Sequence, residues 1–209
     1  VIIGNMQLAK MYVEENANAY TPLVKPEEAV IAARDLTSHL ITFSRGGYPV
    51  SKIVPARDFL IQAVNLALGG SDTKVEWNVA DDLPEVKVDE NQIRQVIHNI
   101  VINALEAMPE GGKLHVEADK AFLGPDNALC LAEGIYLRLV FRDEGSGIPE
   151  VQIPRVFDPY FTTKELGNKK GMGLGLSISY SIIKRHEGYI RVDSKEGTGT
   201  TVTIFIPAS

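Results

Sequence analysis

The chain has 209 residues, of which 44% are hydrophobic and 23% charged, a mixture that supports one large or two small globular domains with a real core. It excludes a disordered tail, a collagen-like rod and a membrane bundle, since no apolar run approaches the roughly 18 residues of a bilayer span. A formal net charge of −6 speaks against nucleic acid as a partner, which calls for a basic face. The single cysteine, Cys130, excludes a disulfide framework and a thiolate metal cluster and fits a reducing, cytoplasmic compartment. The four histidines show no zinc spacing. The chain opens on Val1 without a basic-then-apolar leader and reads as a piece of something longer.

Residues 2–17 carry apolar side chains at helical spacing and are expected to form the end of a helix. A polar, proline-containing break follows. A second helix is expected over 26–45, with an apolar stripe of hairpin or bundle type through Ala29, Ala32, Ala33, Leu36, His39, Leu40 and Phe43. Gly46 and Gly47 stop it, and residues 48–56 read as a linker. From Ala56 the pattern changes. A helix is expected over 57–68, a strand over 74–80, a short extended piece near Val86, and a long helix over 90–108 capped by Asp89. Strands are expected at 113–119 and 135–142, and a long glycine-rich polar segment over 145–170. A helix is expected from about Gly173 to His186, then a hairpin of strands 189–194 and 200–206. Helices and strands that interleave but end in a hairpin point to an α+β sandwich with a mixed sheet. Half of the 18 glycines fall at or after Gly145, and residues 155–186 hold six Lys or Arg against two Asp or Glu. A locally basic, backbone-permissive segment in an acidic chain suggests a phosphate site.

Four segments stand out chemically. On the 90–108 helix Gln95, Asn99 and Asn103 recur every four residues and share one face. Asparagine is a weak helix former, so two of them one turn apart need partners. Those partners are a hydrated divalent cation on phosphates, or bonds within the protein. Asp143-Glu144-Gly145-Ser146-Gly147-Ile148 follows a strand. It can offer a carboxylate to an exocyclic amine, or be an ordinary turn. Phe157-Asp158-Pro159-Tyr160-Phe161-Thr162-Thr163-Lys164 places three aromatics in a polar loop, as a lid with Lys164 reaching phosphate or as a small cluster anchoring the loop. Gly171-Met172-Gly173-Leu174-Gly175-Leu176 opens a helix, where free N–H groups and the dipole favour an anion. The GxGxG spacing without a preceding strand is neither a dinucleotide fingerprint nor a P-loop.

In order, Asn99…Asn103, Asp143-x-Gly-x-Gly147, Phe157…Phe161, Gly171-x-Gly-x-Gly175 and Gly197-Thr-Gly199-Thr200 closely resemble the N, G1, F and G2 boxes and terminal Gly-Thr motif of the histidine kinase catalytic domain. That domain belongs to the GHKL ATPase superfamily with its Bergerat fold. The resemblance covers roughly residues 55–209. Residues 1–47 resemble a truncated dimerisation and phosphotransfer hairpin, with "LTSHLITFSRGG" at the end of its second helix. The resemblance implies an α+β two-layer sandwich, a mixed sheet of about five strands on three helices, over 57–209. It implies ATP and Mg²⁺ as cofactors. Asn103 would ligate Mg²⁺, with Asn99 on the phosphate side. Asp143 would bind the adenine amine with Gly145, Gly147 and Ile148 around it. Lys164 and the N–H groups of Gly173, Leu174 and Gly175 would hold phosphates. Residues 150–170 would be the lid, with Phe157, Phe161 and Thr162 in it; Gly171 and Leu176 would join the pocket, and Thr200 or Thr201 would complete its adenine side.

In the ATP-hydrolysing branches a glutamate stands one turn before the metal-binding asparagine. Here that position is Asn99, which cannot act as a general base. The resemblance therefore implies a protein-histidine kinase that passes the γ-phosphoryl group to a histidine expected outside this chain, then to an aspartate of a response-regulator receiver domain. The chain alone is expected to bind ATP or ADP without phosphorylating itself. Its hairpin would make a homodimer, without nucleic-acid or membrane contact by this part. The other readings are a non-catalytic nucleotide-binding or dimerisation module and a GHKL hydrolase.

Overall fold

The computed structural model describes residues 9, 12, 13, 50–162 and 173–209. Val1–Gly47 and Tyr48–Ser209 form separate compact units. Apart from residues 9, 12 and 13, the expected hairpin lies outside the described residues, as do Lys164 and Gly171.

In the second unit β1 (Lys52–Pro55) leads into α1 (Ala56–Leu68), β2 (Lys74–Val79), β3 (Glu85–Val88), α2 (Glu90–Ala107), β4 (Lys113–Leu123) and β5 (Gly134–Asp143). A 3₁₀ turn (Glu150–Arg155), α3 (Gly175–Arg185), β6 (Tyr189–Lys195) and β7 (Gly199–Pro207) complete it. Five strands form one mixed sheet in the order β2-β4-β5-β7-β6, parallel at β2–β4 and antiparallel elsewhere. This is the expected α+β sandwich. The period-two alternation sets its inner face: Leu114, Val116 and Ala118, Leu137, Leu139 and Phe141, Val202, Ile204 and Ile206 are all buried. On the outer face Asp119 stands opposite Arg138, and the guanidinium Nε donates to its carboxylate at 2.9 Å.

The helices cover the inner face. In α2 the stripe Ile93, Val96, Ile97, Ile100, Val101 and Ala104 is buried, so the amide face turns away from the main packing. Asp89 caps this helix, its carboxylate accepting from the N–H groups of Asn91 and Gln92. In α1 the buried set is Ala56, Phe59, Leu60, Ala63, Val64 and Ala67, and Gly69 ends the helix in the left-handed region.

Two local expectations are revised. Residues 52–55 are strand, not linker: Ile53 and Val54 pair with Lys87 and Val86 in a two-stranded sheet. The flanking prolines hid a β-branched pair whose partner lies some thirty residues on. The last helix begins at Gly175 rather than Gly173, because Gly173 has φ +64° and turns the chain into it.

Three polar or charged side chains are buried among the described residues: Asp143, Ser179 and His186. His186, at the C-terminal end of α3, joins the start of α2. The Asp89 N–H donates to His186 Nε2 at 3.0 Å, so that nitrogen carries no proton, and Nδ1–H donates to the Ile182 carbonyl at 2.8 Å. Replacing His186 with alanine strands a backbone donor and opens a hole between two helices. We expect a loss of about 2–3 kcal/mol in urea unfolding; a loss below about 0.5 kcal/mol would contradict this role.

Candidate functional site

Asp143 is the last residue of β5 and is 7% exposed. Its Oδ1 accepts from the Gly145 N–H at 2.9 Å and from the Thr200 N–H at 3.2 Å. No N–H or O–H of another described residue reaches Oδ2. Burial raises the carboxyl above its ordinary value, against the lowering effect of the N–H donors. The carboxylate is thus oriented by one oxygen and leaves the other for a donor.

Close backbone approaches build the surrounding turns. A Cβ at Gly145 would lie 2.6 Å from the Ala107 Cβ, and the Ser146 N–H donates to the Ala107 carbonyl at 3.2 Å. The turn after Asp143 therefore sits on the C-terminal end of α2. On its other side the Gly197 N–H donates to the Ser146 carbonyl at 2.7 Å, tying it to the β6–β7 turn. Gly199, at φ +122°, would place a Cβ 2.0 Å from the Asp143 carbonyl oxygen. Only glycine fits where β7 starts against the end of β5.

Ser194 locks these turns together and is absent from the sequence-based set. Its hydroxyl accepts from the Ile148 N–H at 2.8 Å, donates to the Gly199 carbonyl at 2.9 Å and meets Thr200 Oγ1 at 2.9 Å. With the Ser194 proton on Gly199, Thr200 is the donor of that last bond. A signal existed: Ser194 follows Ile190 and Val192 at period two, a hydroxyl on an otherwise apolar inward row.

The amide row of α2 divides. Asn99 Nδ2 donates to the Gly175 carbonyl at 3.0 Å and to Ser179 Oγ at 3.4 Å. Of the two partners open to it from the sequence, this nitrogen takes the protein. Asn103 is half-buried and hydrogen-bonds no other described residue through its side chain. No group of three or more His, Cys, Asp or Glu among the described residues could hold a metal ion.

The aromatic segment is anchored. Phe157 and Phe161 are partly buried against the core, as are Ile148, Leu174 and Leu176. The Phe157 ring lies 5.2 Å from that of Tyr180, and the Arg155 guanidinium lies 4.8 Å above the Phe161 ring. Each of these two phenylalanines thus has its own partner in the folded unit. A Cβ at Gly173 would lie 2.5 Å from the Phe161 carbonyl oxygen, so the chain at 161 and at 173 runs side by side. Beyond that crossing, Leu174 precedes α3 without any side chain capping the helix N-terminus.

Asn99 and Gly175, Asp143 and Thr200, Gly145 and the end of α2, and Gly173 and Phe161 are thus brought together. The histidines have other engagements. His115 sits between Glu76, 3.1 Å from Nδ1, and Glu144, 3.0 Å from Nε2. His98 is exposed, His186 is enclosed as described, and His39 lies outside the described residues.

Residues 88–209 match the family described as histidine kinase-, DNA gyrase B- and HSP90-like ATPase. The sensor kinase CckA of Brucella abortus is 36% identical over 205 residues, covering 94% of this chain and 20% of its own length. A mycobacterial sensor histidine kinase, MprB, superposes with a TM-score of 0.61 at 26% identity, covering 76% of this chain and 98% of that one. ShkA, solved in complex with AMPPNP, superposes with a TM-score of 0.72 at 21% identity over 100% of this chain and 43% of that one, a likeness of fold. The chain thus spans about a fifth of the Brucella relative. With its sheet order, its paired turns and the matched segment in agreement, the chain belongs to the histidine kinase-, DNA gyrase B- and HSP90-like ATPase family.

Proposed function

We propose that this chain is the ATP-binding catalytic part of a two-component sensor histidine kinase. The observation that carries the reading is Asp143, a buried carboxylate held by two N–H donors through one oxygen and open at the other. Such a group recognises the exocyclic amine of adenine. Gly145, Gly147, Ile148 and Thr200 would wall the base. The uncapped start of α3, at Gly173, Leu174, Gly175 and Leu176, offers N–H groups and a positive dipole end to the phosphates. Lys164, Gly171 and Thr162 would close over them from the lid.

The amide of Asn103 fits Mg²⁺: it is a hard oxygen donor, half-buried, with no described partner. Magnesium bound there would neutralise phosphate charge. Asn103 would contribute one oxygen, and the nucleotide and water the rest. Asn103→Ala is expected to remove most of the gain in ADP affinity that Mg²⁺ provides, roughly tenfold, while metal-free affinity stays near that of the unaltered chain. An undiminished magnesium effect would contradict the assignment.

Catalysis would rest on positioning and electrostatics, as in phosphoryl transfer generally. Asn99 offers no base for water, so the γ-phosphoryl group is kept for a histidine and then a response-regulator aspartate. The parent protein would act as a cytoplasmic-facing homodimer. The test is incubation of the parent protein with γ-labelled ATP. Acid-labile, base-stable phosphate on the protein is expected. Steady-state ATP hydrolysis on the order of 10 s⁻¹ without such labelling would overturn the kinase reading in favour of a hydrolase.

A further inference from the structure

Ser179 is 0% exposed and interrupts the buried row of α3 between Ile178, Ile182 and Ile183. Its hydroxyl donates back to the Gly175 carbonyl at 2.9 Å. The same carbonyl accepts from Asn99 Nδ2 at 3.0 Å, and Asn99 Nδ2 also reaches Ser179 Oγ at 3.4 Å. A Cβ at Gly175 would lie 3.6 Å from the Asn99 Cβ, so α3 meets the Asn99 side chain here with no side chain of its own. The Ser179 proton is committed to Gly175, and a carbonyl has none. The side chain at 99 therefore meets two oxygens that take a hydrogen bond from it, and the amide N–H groups of Asn99 supply the donor.

We infer that Ser179 and Asn99 form a positioning pair that fixes the first turn of α3 for phosphate and selects an amide over a carboxylate at position 99. Asn99 then acts through α3 rather than as a metal ligand, and Ser179 is a positioning residue. A carboxylate at 99 would set negative charge against the Gly175 carbonyl and the Ser179 oxygen. The pair thereby keeps a water-activating acid out of the place from which it would hydrolyse the nucleotide. This inference rests on the nucleotide reading above.

The test compares Asn99→Asp, which keeps the shape but loses both donors, with Ser179→Ala, which keeps the packing but loses the hydroxyl. Binding of ADP with and without Mg²⁺, and of adenosine, is followed by amide chemical shifts. Both variants are expected to bind ADP about five- to tenfold more weakly, one to two hydrogen bonds' worth. Adenosine affinity should hold within about twofold, and the magnesium gain should be unchanged. A general loosening of the fold would lower adenosine and ADP affinity alike. Loss of the magnesium gain in Asn99→Asp, or ADP affinity within about twofold of the unaltered chain in Ser179→Ala, would overturn the inference. Should the unaltered chain bind no adenine nucleotide, the reading of function fails, and the pair is still judged by a double-mutant cycle in urea unfolding. A coupling indistinguishable from zero between the two substitutions would overturn it there.

Discussion

Asp143→Ala is expected to weaken ADP binding by at least about a hundredfold, the value of a charge-assisted hydrogen bond in a buried pocket together with its misplaced surroundings. The substitution would remove the proposed acceptor for the base, and it strands the N–H groups of Gly145 and Thr200. Titration calorimetry checks it, and ADP affinity within about threefold of the unaltered chain would contradict it. The same residue sets a pH dependence. Burial raises the carboxyl above the ordinary aspartate value, so the folded chain holds this proton more tightly than the unfolded one. Stability from this group is therefore fully present below the unfolded value and is lost as pH rises through the folded one. Affinity runs the other way. An amine donor binds the ionised oxygen and lowers the carboxyl in the complex, so affinity is present above the raised value and falls as pH drops through it. Binding should start to weaken at a pH above the ordinary aspartate range.

Gly199→Ala is the substitution expected to cost most stability, about 3 kcal/mol or more. The added Cβ would meet the Asp143 carbonyl oxygen, a backbone atom, at 2.0 Å and at φ +122°. Neither strand can give without displacing Asp143 or the Ser194 lock. Gly197→Ala is the matched comparison: it also has positive φ, +74°, but its Cβ would find nothing within 4 Å. It should cost about 1 kcal/mol, the left-handed backbone alone. Thermal unfolding of the pair checks this. Equal losses would show that the β5–β7 approach does not govern the site.

Most of the fold was legible because its elements carry their own periods. The α2 stripe has helical spacing, and the inner rows of β4, β5 and β7 alternate. The β1–β3 pair was not, since a four-residue strand beside prolines has no pattern of its own and forms only through a distant partner. The site was legible where backbone chemistry is extreme: Asp143 at a strand end, and glycines at 147, 173 and 199 with positive φ. It was not legible where one polar residue hides in an apolar row. Ser179 and Ser194 each occupy an inward position, and only the fold shows which carbonyl each hydroxyl meets. Asn99 was legible as a residue in need of partners, but its choice of Gly175 depends on a helix that starts 76 positions later. Phe157 and Phe161 could serve a lid or an anchor equally by composition, and only the fold shows that both pack against the core, Phe157 beside Tyr180.

The most direct measurement is a titration of the chain with ADP and Mg²⁺, recorded by calorimetry and by backbone amide shifts together. One saturable site is expected, with the largest shifts at Asp143, Gly145, Thr200, Asn103 and the first turn of α3. No heat of association, or shifts gathered on the outer face of the sheet around Asp119 and Arg138, would contradict a nucleotide pocket at these residues.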